Sequence, residues 1–221
     1  MKILDQFDTD NSFLYENGFY LTGKPDRLGK LLAHYELYKI VKELPGAIVE
    51  CGVFKGASLI RFATFRNLFE AEHSRKIIGF DMFGKFPETN FSEDKKYRKK
   101  FIDSAGEQSI SETELAQIFE FKNIKNYELV KGDINQTVPK YVKDNPHLKI
   151  ALLHIDTDVY EPAVTILKKM YDRVVRGGII AFDDYGTFPG ETKAVDEFFK
   201  DKKVVIKKLP FSHIPSFVVK S

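Results

Sequence analysis

Two short acidic runs carry the densest chemistry in this chain: His154-Ile155-Asp156-Thr157-Asp158-Val159-Tyr160 and Phe182-Asp183-Asp184-Tyr185-Gly186. Each continues an apolar stretch, Ile150 to Ile155 and Ile179 to Phe182, so each begins where a strand should end. If those strands are neighbours, three or four carboxylates converge at one rim of a sheet. Two unit charges about 4 Å apart repel by roughly 4 kcal/mol at an effective dielectric near 20. Several such pairs call for a cation. Ligation by oxygen alone suits Mg²⁺, with Mn²⁺ or Ca²⁺ as substitutes, and argues against Zn²⁺. The structural alternative has Asp156 and Asp183 capping helices while Asp158 and Asp184 face solvent.

Other strand ends suggest a nucleoside ligand. Val49-Glu50-Cys51-Gly52-Val53-Phe54-Lys55-Gly56-Ala57-Ser58 joins a short apolar strand to a helix, and Gly52 and Gly56 permit a sharp turn and close approach of a ligand. A dinucleotide fingerprint would place glycines at 50, 52 and 55, where Glu50, Gly52 and Lys55 stand. A carboxylate at Glu50 would repel a pyrophosphate and suit a cationic ligand bearing an ammonium and a sulfonium. The plain alternative is an ordinary turn with a solvent-facing glutamate. Asp81, closing Gly79-Phe80-Asp81, is placed to accept from both hydroxyls of a ribose. Asp133, after Lys131-Gly132, either contacts an adenine amine or caps the helix beginning near Asn135. His154 reads as a packed core histidine and Cys51 as a small buried hydrophobe. His34 and His213 are candidates to face a substrate.

The elements that must position these residues follow from periodicity. Leu28, Leu31, Leu32, Tyr35, Leu37, Tyr38, Ile40 and Val41 recur at helical spacing between Arg27 and Leu44, and Pro45-Gly46 ends that helix. Strands are expected at Ala47–Cys51, Ile77–Asp81, Tyr127–Lys131, Ile150–Ile155 and Ile179–Phe182, with helices at Ala57–Glu70, Glu161–Val175 and Glu191–Lys200. Val204–Leu209 and Phe217–Val219 read as an antiparallel pair. Such alternation predicts an α/β fold with a mostly parallel sheet covered on both faces and ligands beyond the carboxyl ends of its strands. Residues 92–104 are dense in Lys, Glu and Asp and read as a solvated helix face or a flexible insertion. The stretch up to about Gly23 lacks clear periodicity and reads as a mobile arm or lid, or as a contact to a second subunit in a homodimer.

At 221 residues the chain fits one domain, an arm and helix at 1–44 followed by the main body at 45–221. With 34 basic and 32 acidic side chains the net charge is +2, so overall electrostatics give no case for nucleic acid. A lone cysteine excludes an intrachain disulfide framework and suits a reducing, cytoplasmic setting. No apolar run reaches the roughly 18 residues of a membrane span, and the N-terminus lacks a secretory pattern.

In this order, Val49 to Gly56, Phe80-Asp81-Met82-Phe83, Asp156-Thr157-Asp158-Val159-Tyr160, Gly177-Gly178 leading to Asp183-Asp184-Tyr185-Gly186, and Ala194-Val195-Asp196-Glu197-Phe198 resemble the macrocin O-methyltransferase family, whose members methylate sugar hydroxyls. The similarity runs from about Pro45 to Phe199. It implies a class I S-adenosylmethionine-dependent methyltransferase (Rossmann-like) sheet of seven strands, ordered 3-2-1-4-5-7-6, with only strand seven antiparallel. It also implies that Glu50, Gly52, Ser58, Asp81 and Asp133 line the S-adenosylmethionine pocket. Asp156, Asp183 and Asp184 would hold Mg²⁺ (or Mn²⁺), and Asp156 would double as general base. The acceptor would be a sugar, free, nucleotide-linked or polymeric. Met82-Phe83-Gly84-Lys85 departs from the family pattern after the strand-two aspartate, and 86–121 matches poorly, so the acceptor is left open. A catechol-type methyltransferase, an NAD-dependent oxidoreductase and a non-catalytic binding domain are the competing readings. The missing Gly-x-Gly-x-x-Gly speaks against the oxidoreductase, and the intact acidic cluster against the last.

Overall fold

The computed structural model describes residues 7–221 and the backbone of 2–4; the remaining residues of the expected N-terminal arm lie outside the described residues. β1 (Lys2–Leu4) pairs antiparallel with β2 (Phe7–Asp8). Where the sequence shows no periodicity, a helix forms, α1 (Ser12–Thr22). It buries none of its residues and leaves Phe13 and Leu21 exposed, so there is no core-facing stripe to read.

The main sheet has six strands: β3 (Ala47–Cys51), β4 (Ile77–Asp81), β5 (Tyr127–Lys131), β6 (Ile150–Ile155), β7 (Val174–Phe182) and β8 (Ser216–Val219). Their order is β5-β4-β3-β6-β7-β8, all parallel except β8. Counted within the sheet, this is 3-2-1-4-5-7, so the expected order holds with one strand missing. The run Val204–Leu209 makes only a single antiparallel bridge, between Lys207 and Phe217. The next paired position in that register would set Leu209 against Pro215, which has no N–H to donate. The bridge therefore does not extend toward the turn.

Helices cover both faces, as a mostly parallel sheet requires. One face packs under α2 (Pro25–Val41), α3 (Ala57–Phe69) and α5 (Glu112–Phe121), with Leu37, Tyr38, Leu59, Phe62 and Phe119 buried against Ile48, Leu152 and Ile179. The other packs under α6 (Ile134–Asp144), α7 (Tyr160–Met170) and α8 (Pro189–Phe199), with Val138, Ile166, Met170 and Val195 against Val49, Leu153 and Ile180. Although α2 lies before the expected boundary at residue 44, its Ala33, Leu37 and Val41 belong to the core. The helix expected to run to Val175 stops at Met170, because the chain turns through a short 3-10 segment and enters β7 at Val174. A register jump between Ile150 and Leu152 of the neighbouring strand accommodates the extra residues, with Gly177 at positive φ.

The charged segment is α4 (Asp94–Ala105), and most of its lysines are exposed as expected. Its first residue is the exception. Asp94 is buried, and its two carboxylate oxygens accept from Tyr160 N at 2.9 Å and Gly190 N at 2.7 Å. One side chain thus caps the N-termini of both α7 and α8. A Cβ on Gly190 would stand 2.0 Å from that carboxylate, which is why the position is glycine. Replacing Asp94 with Ala leaves two buried amides unpaired and should lower stability by about 2–3 kcal/mol. Urea unfolding of the variant against the parent measures this directly, and a loss below 0.5 kcal/mol would contradict the double cap.

Candidate functional site

The carboxyl ends of β3, β4, β6 and β7 open into a cavity of about 850 Å³. Gly52 lines it at φ +93, and a Cβ there would lie 1.7 Å from the carbonyl oxygen of Asp156. The close approach that demands glycine is therefore made by the neighbouring loop's backbone. Asp156 N donates to Cys51 O at 2.9 Å and Gly52 N to Phe80 O at 2.8 Å, completing the junction. Gly56, at φ +82, starts α3.

Gly52, Ser58, Asp81 and Asp133 all line this cavity; Glu50 does not. Glu50 is fully buried behind the wall, where its Oε1 accepts from Ser58 Oγ at 2.5 Å and its Oε2 lies 3.7 Å from His154 Nδ1. In strand register Glu50 sits beside His154, on the face that carries Ile48 and Leu152. Glu50, expected to meet the ligand directly, instead stands behind Ser58 and supports it from beneath. Asp81 already accepts from Val53 N, Phe54 N and Phe83 N. With about four lone-pair sites on a carboxylate, one remains, enough for a single ribose hydroxyl. Asp133 caps α6, its Oδ1 accepting from Asn135 N at 2.9 Å, and it also lines the cavity.

The acids after β6 and β7 meet. Oxygens of Asp156, Asp158 and Asp184 lie within 4.8 Å of one another at the cavity floor, and Asp184 Oδ2 is buried with no hydrogen-bond partner. This donor set suits a hard divalent cation. Asp158 holds φ +60, a conformation that re-aims its side chain from the end of the loop. Burial and the neighbouring acids push all three carboxyls up, Asp156 to about 7. Glu191, fully buried, accepts from Thr157 N and Asp184 N and so binds the two acidic loops together.

Asp183 stands slightly apart from its expected partners. Its Oδ2 accepts from Lys30 Nζ at 2.5 Å and its Oδ1 lies 3.3 Å from His154 Nε2. Lys30 Nζ is also 4.0 Å from Asp156 Oδ2. Burial would raise the Asp183 carboxyl, but Lys30 and then His154 hold it well below the usual range. Burial likewise opposes charge on His154, yet its contacts with Asp183 and Glu50 prevail and lift it to about 10. His154 is thus a core residue, as read, and also a fixed positive charge between two carboxylates. His34 joins Asp183 and His154 in a second compact group, but an ammonium already occupies Asp183 there. Among the other tempting residues, Cys51 is fully buried and its thiol pushed up, while His213 is exposed and off the cavity.

Sequence reading passed over Lys30, Glu191 and Asp94, which act across 153, 34 and 66 residues of chain respectively. One signal was available for the first. Arg27, Lys30 and His34 continue, at spacings of three and four, the stripe that buries Leu37 and Val41.

The family model described as Macrocin-O-methyltransferase (TylF) matches residues 16–219. The demethyldecarbamoylnovobiocin O-methyltransferase of Streptomyces niveus is 28% identical over 171 residues, covering 72% of this chain and 60% of that protein. The mycinamicin III 3''-O-methyltransferase of Micromonospora griseorubida is 25% identical over 159 residues, covering 70% and 61%. The chain thus matches less than two thirds of the length of these relatives. Among solved structures, the apo form of CalS11, a TDP-rhamnose 3'-O-methyltransferase of calicheamicin biosynthesis, superposes with a TM-score of 0.68 at 29% identity, covering 96% of this chain and 86% of that one. Among the described residues no helix is long and apolar enough to cross a membrane.

Because His154 is raised from 6.5 to about 10 by folding, it contributes stability fully present below pH 6.5 and lost as pH climbs through 10. In metal-free buffer, the unfolding free energy of the parent should fall between pH 7 and 10 more steeply than that of His154→Gln. Parallel curves for the two proteins would show that this imidazole is uncharged in the fold.

Proposed function

Because the chain belongs to the macrocin O-methyltransferase family, we propose that it transfers the methyl group of S-adenosylmethionine to a sugar hydroxyl with the help of a hard divalent cation. The observation that carries this reading is the convergence of Asp156, Asp158 and Asp184 at the floor of the cavity, with one buried oxygen of Asp184 left without a partner. The likeness to two O-methyltransferases and to a solved TDP-rhamnose 3'-O-methyltransferase supports the acceptor class.

When bound, S-adenosylmethionine supplies a methyl group activated by its sulfonium, and Mg²⁺ or Mn²⁺ supplies a Lewis acid that favours ionisation of a hydroxyl. Asp156, Asp158 and Asp184 would hold the cation, with Asp183 completing the wall through Lys30. Asp183 stays ionised because Lys30 and His154 face it, so it adds fixed negative charge beside the three. Asp156, which lines the cavity and lies 4.0 Å from Lys30 Nζ, would accept the hydroxyl proton. Gly52 and Ser58, which line the cavity, would border the methionine end of the cofactor, and Asp81 and Asp133 its nucleoside end. Holding donor and acceptor on adjoining loops fixes the line of attack, which is itself worth a large part of the barrier.

Turnover of a sugar acceptor should vanish in EDTA and return with Mg²⁺ or Mn²⁺. Asp184→Asn should lower kcat by roughly a hundredfold or more while changing S-adenosylmethionine affinity less than threefold. Mass spectrometry of the product and calorimetry of cofactor binding read the two effects. Full activity in EDTA would remove the cation from the mechanism.

A further inference from the structure

Five basic side chains line the cavity: Arg27, Lys30, Lys55, Arg61 and Lys85. Three are engaged. Lys30 pairs with Asp183, Lys55 Nζ donates to Gln108 O at 2.5 Å, and Lys85 lies 3.8 Å from Glu107. Among the described residues, no carboxylate comes within 4.0 Å of either Arg27 or Arg61. Arg61 is half-buried and held by one nitrogen, Nη1, 2.9 Å from His34 Nδ1. His34 is fully buried and stacked on Phe62, and burial followed by the charge of His154 keeps it neutral, so it accepts from Arg61 without cancelling the charge. Among the described residues, the remaining donors of that guanidinium make no hydrogen bond. Burial lowers the Arg61 guanidinium, the charge of Arg27 adds to that lowering, and the more distant carboxylates of Glu50 and Asp183 oppose it without pairing directly.

The pair is well placed relative to the acids. Arg27 lies three residues before Lys30 on α2, hence on the same helix face and about 5 Å further along the axis. Lys30 in turn touches Asp183 and approaches Asp156. An anion held by the two guanidiniums would therefore lie about one helical turn from the acid cluster, a separation that a single sugar ring can bridge. Guanidinium forks match the oxygens of a phosphate bidentately, which a lysine cannot do.

We propose that the acceptor carries a phosphate on its sugar, as a sugar 1-phosphate or nucleoside-diphosphate sugar does, and that Arg27 and Arg61 bind it while a ring hydroxyl meets the acids. This rests on the sugar-methylation reading and narrows it to an anionic acceptor.

The test measures binding and turnover separately. Binding of inorganic pyrophosphate, dTDP and glucose 1-phosphate is followed by calorimetry in chelator, with S-adenosylhomocysteine present. Arg27→Met and Arg61→Met should each weaken binding at least tenfold while S-adenosylmethionine affinity stays within twofold; Arg61→Lys, which keeps the charge, should fall between. Binding of glucose 1-phosphate and of pyrophosphate with equal affinity identifies a monoester site, and binding of pyrophosphate and dTDP alone a diphosphate site. Turnover is then compared for the 1-phosphate, dTDP-linked and methyl-glycoside forms of glucose, galactose and rhamnose, where KM should be at least tenfold lower for the phosphorylated forms. Failure of all three anions to bind, or equal KM for neutral glycosides, would overturn the proposal. So would loss of S-adenosylmethionine affinity in Arg61→Met, which would assign that guanidinium to the cofactor's own carboxylate. Anion binding without methylation of any acceptor would leave the phosphate site standing and remove the sugar-methylation reading instead.

Discussion

The balance of buried charge at the carboxyl rim governs this structure. Asp156, Asp158, Asp183, Asp184 and Glu191 crowd the ends of β6 and β7, and a carboxylate taken out of water must find a partner or a proton. Lys30 and His154 supply positive charge here, and the shortest contact each makes to a carboxylate is with Asp183. The other four acids are pushed upward together, a state that is costly in isolation and convenient for a site meant to receive a cation. Removing one member of such a set changes every other, so its energetics belong to the group.

Parts of the fold that seem peripheral serve this balance. The N-terminal helix α2 covers one face of the sheet and delivers Lys30 to the rim. The lysine-rich α4 looks like a solvated ornament, yet Asp94 at its start ties together the two helices that follow the acidic loops. Glu161 at the start of α7 accepts from Asn90 N and Phe91 N and so anchors the segment leading into α4. Secondary structure on three sides is thus fastened to the same few residues.

The order of strands and helices was readable because parallel strands buried on both faces show as apolar runs, and Ala47–Cys51 and Ile150–Ile155 are of that kind. The acids of the site were readable for the same reason: Asp156 and Asp183 come directly after such runs. What the sequence hid depends on side-chain direction and distant partners. Glu50 occupies a motif position that suggests a ligand, but the two-residue period of its strand turns it toward His154 and away from the cavity. Val204–Leu209 has the alternation of a strand, and a proline in its partner stops the ladder. Glu191 reaches the site through tertiary packing alone, and for Lys30 the helical stripe gives its face of α2 but not its partner Asp183.

The contact between Gly52 and the carbonyl of Asp156 has a mechanical consequence. Backbone against backbone leaves no side chain to yield, so the turn after β3 and the turn after β6 must travel as one piece. Any breathing that admits a bulky molecule is thereby displaced to the borders, such as the stretch from Gly84 to Ser109 whose ends pair with each other. Variation in what enters can then accumulate along those borders while the reacting centre keeps its shape.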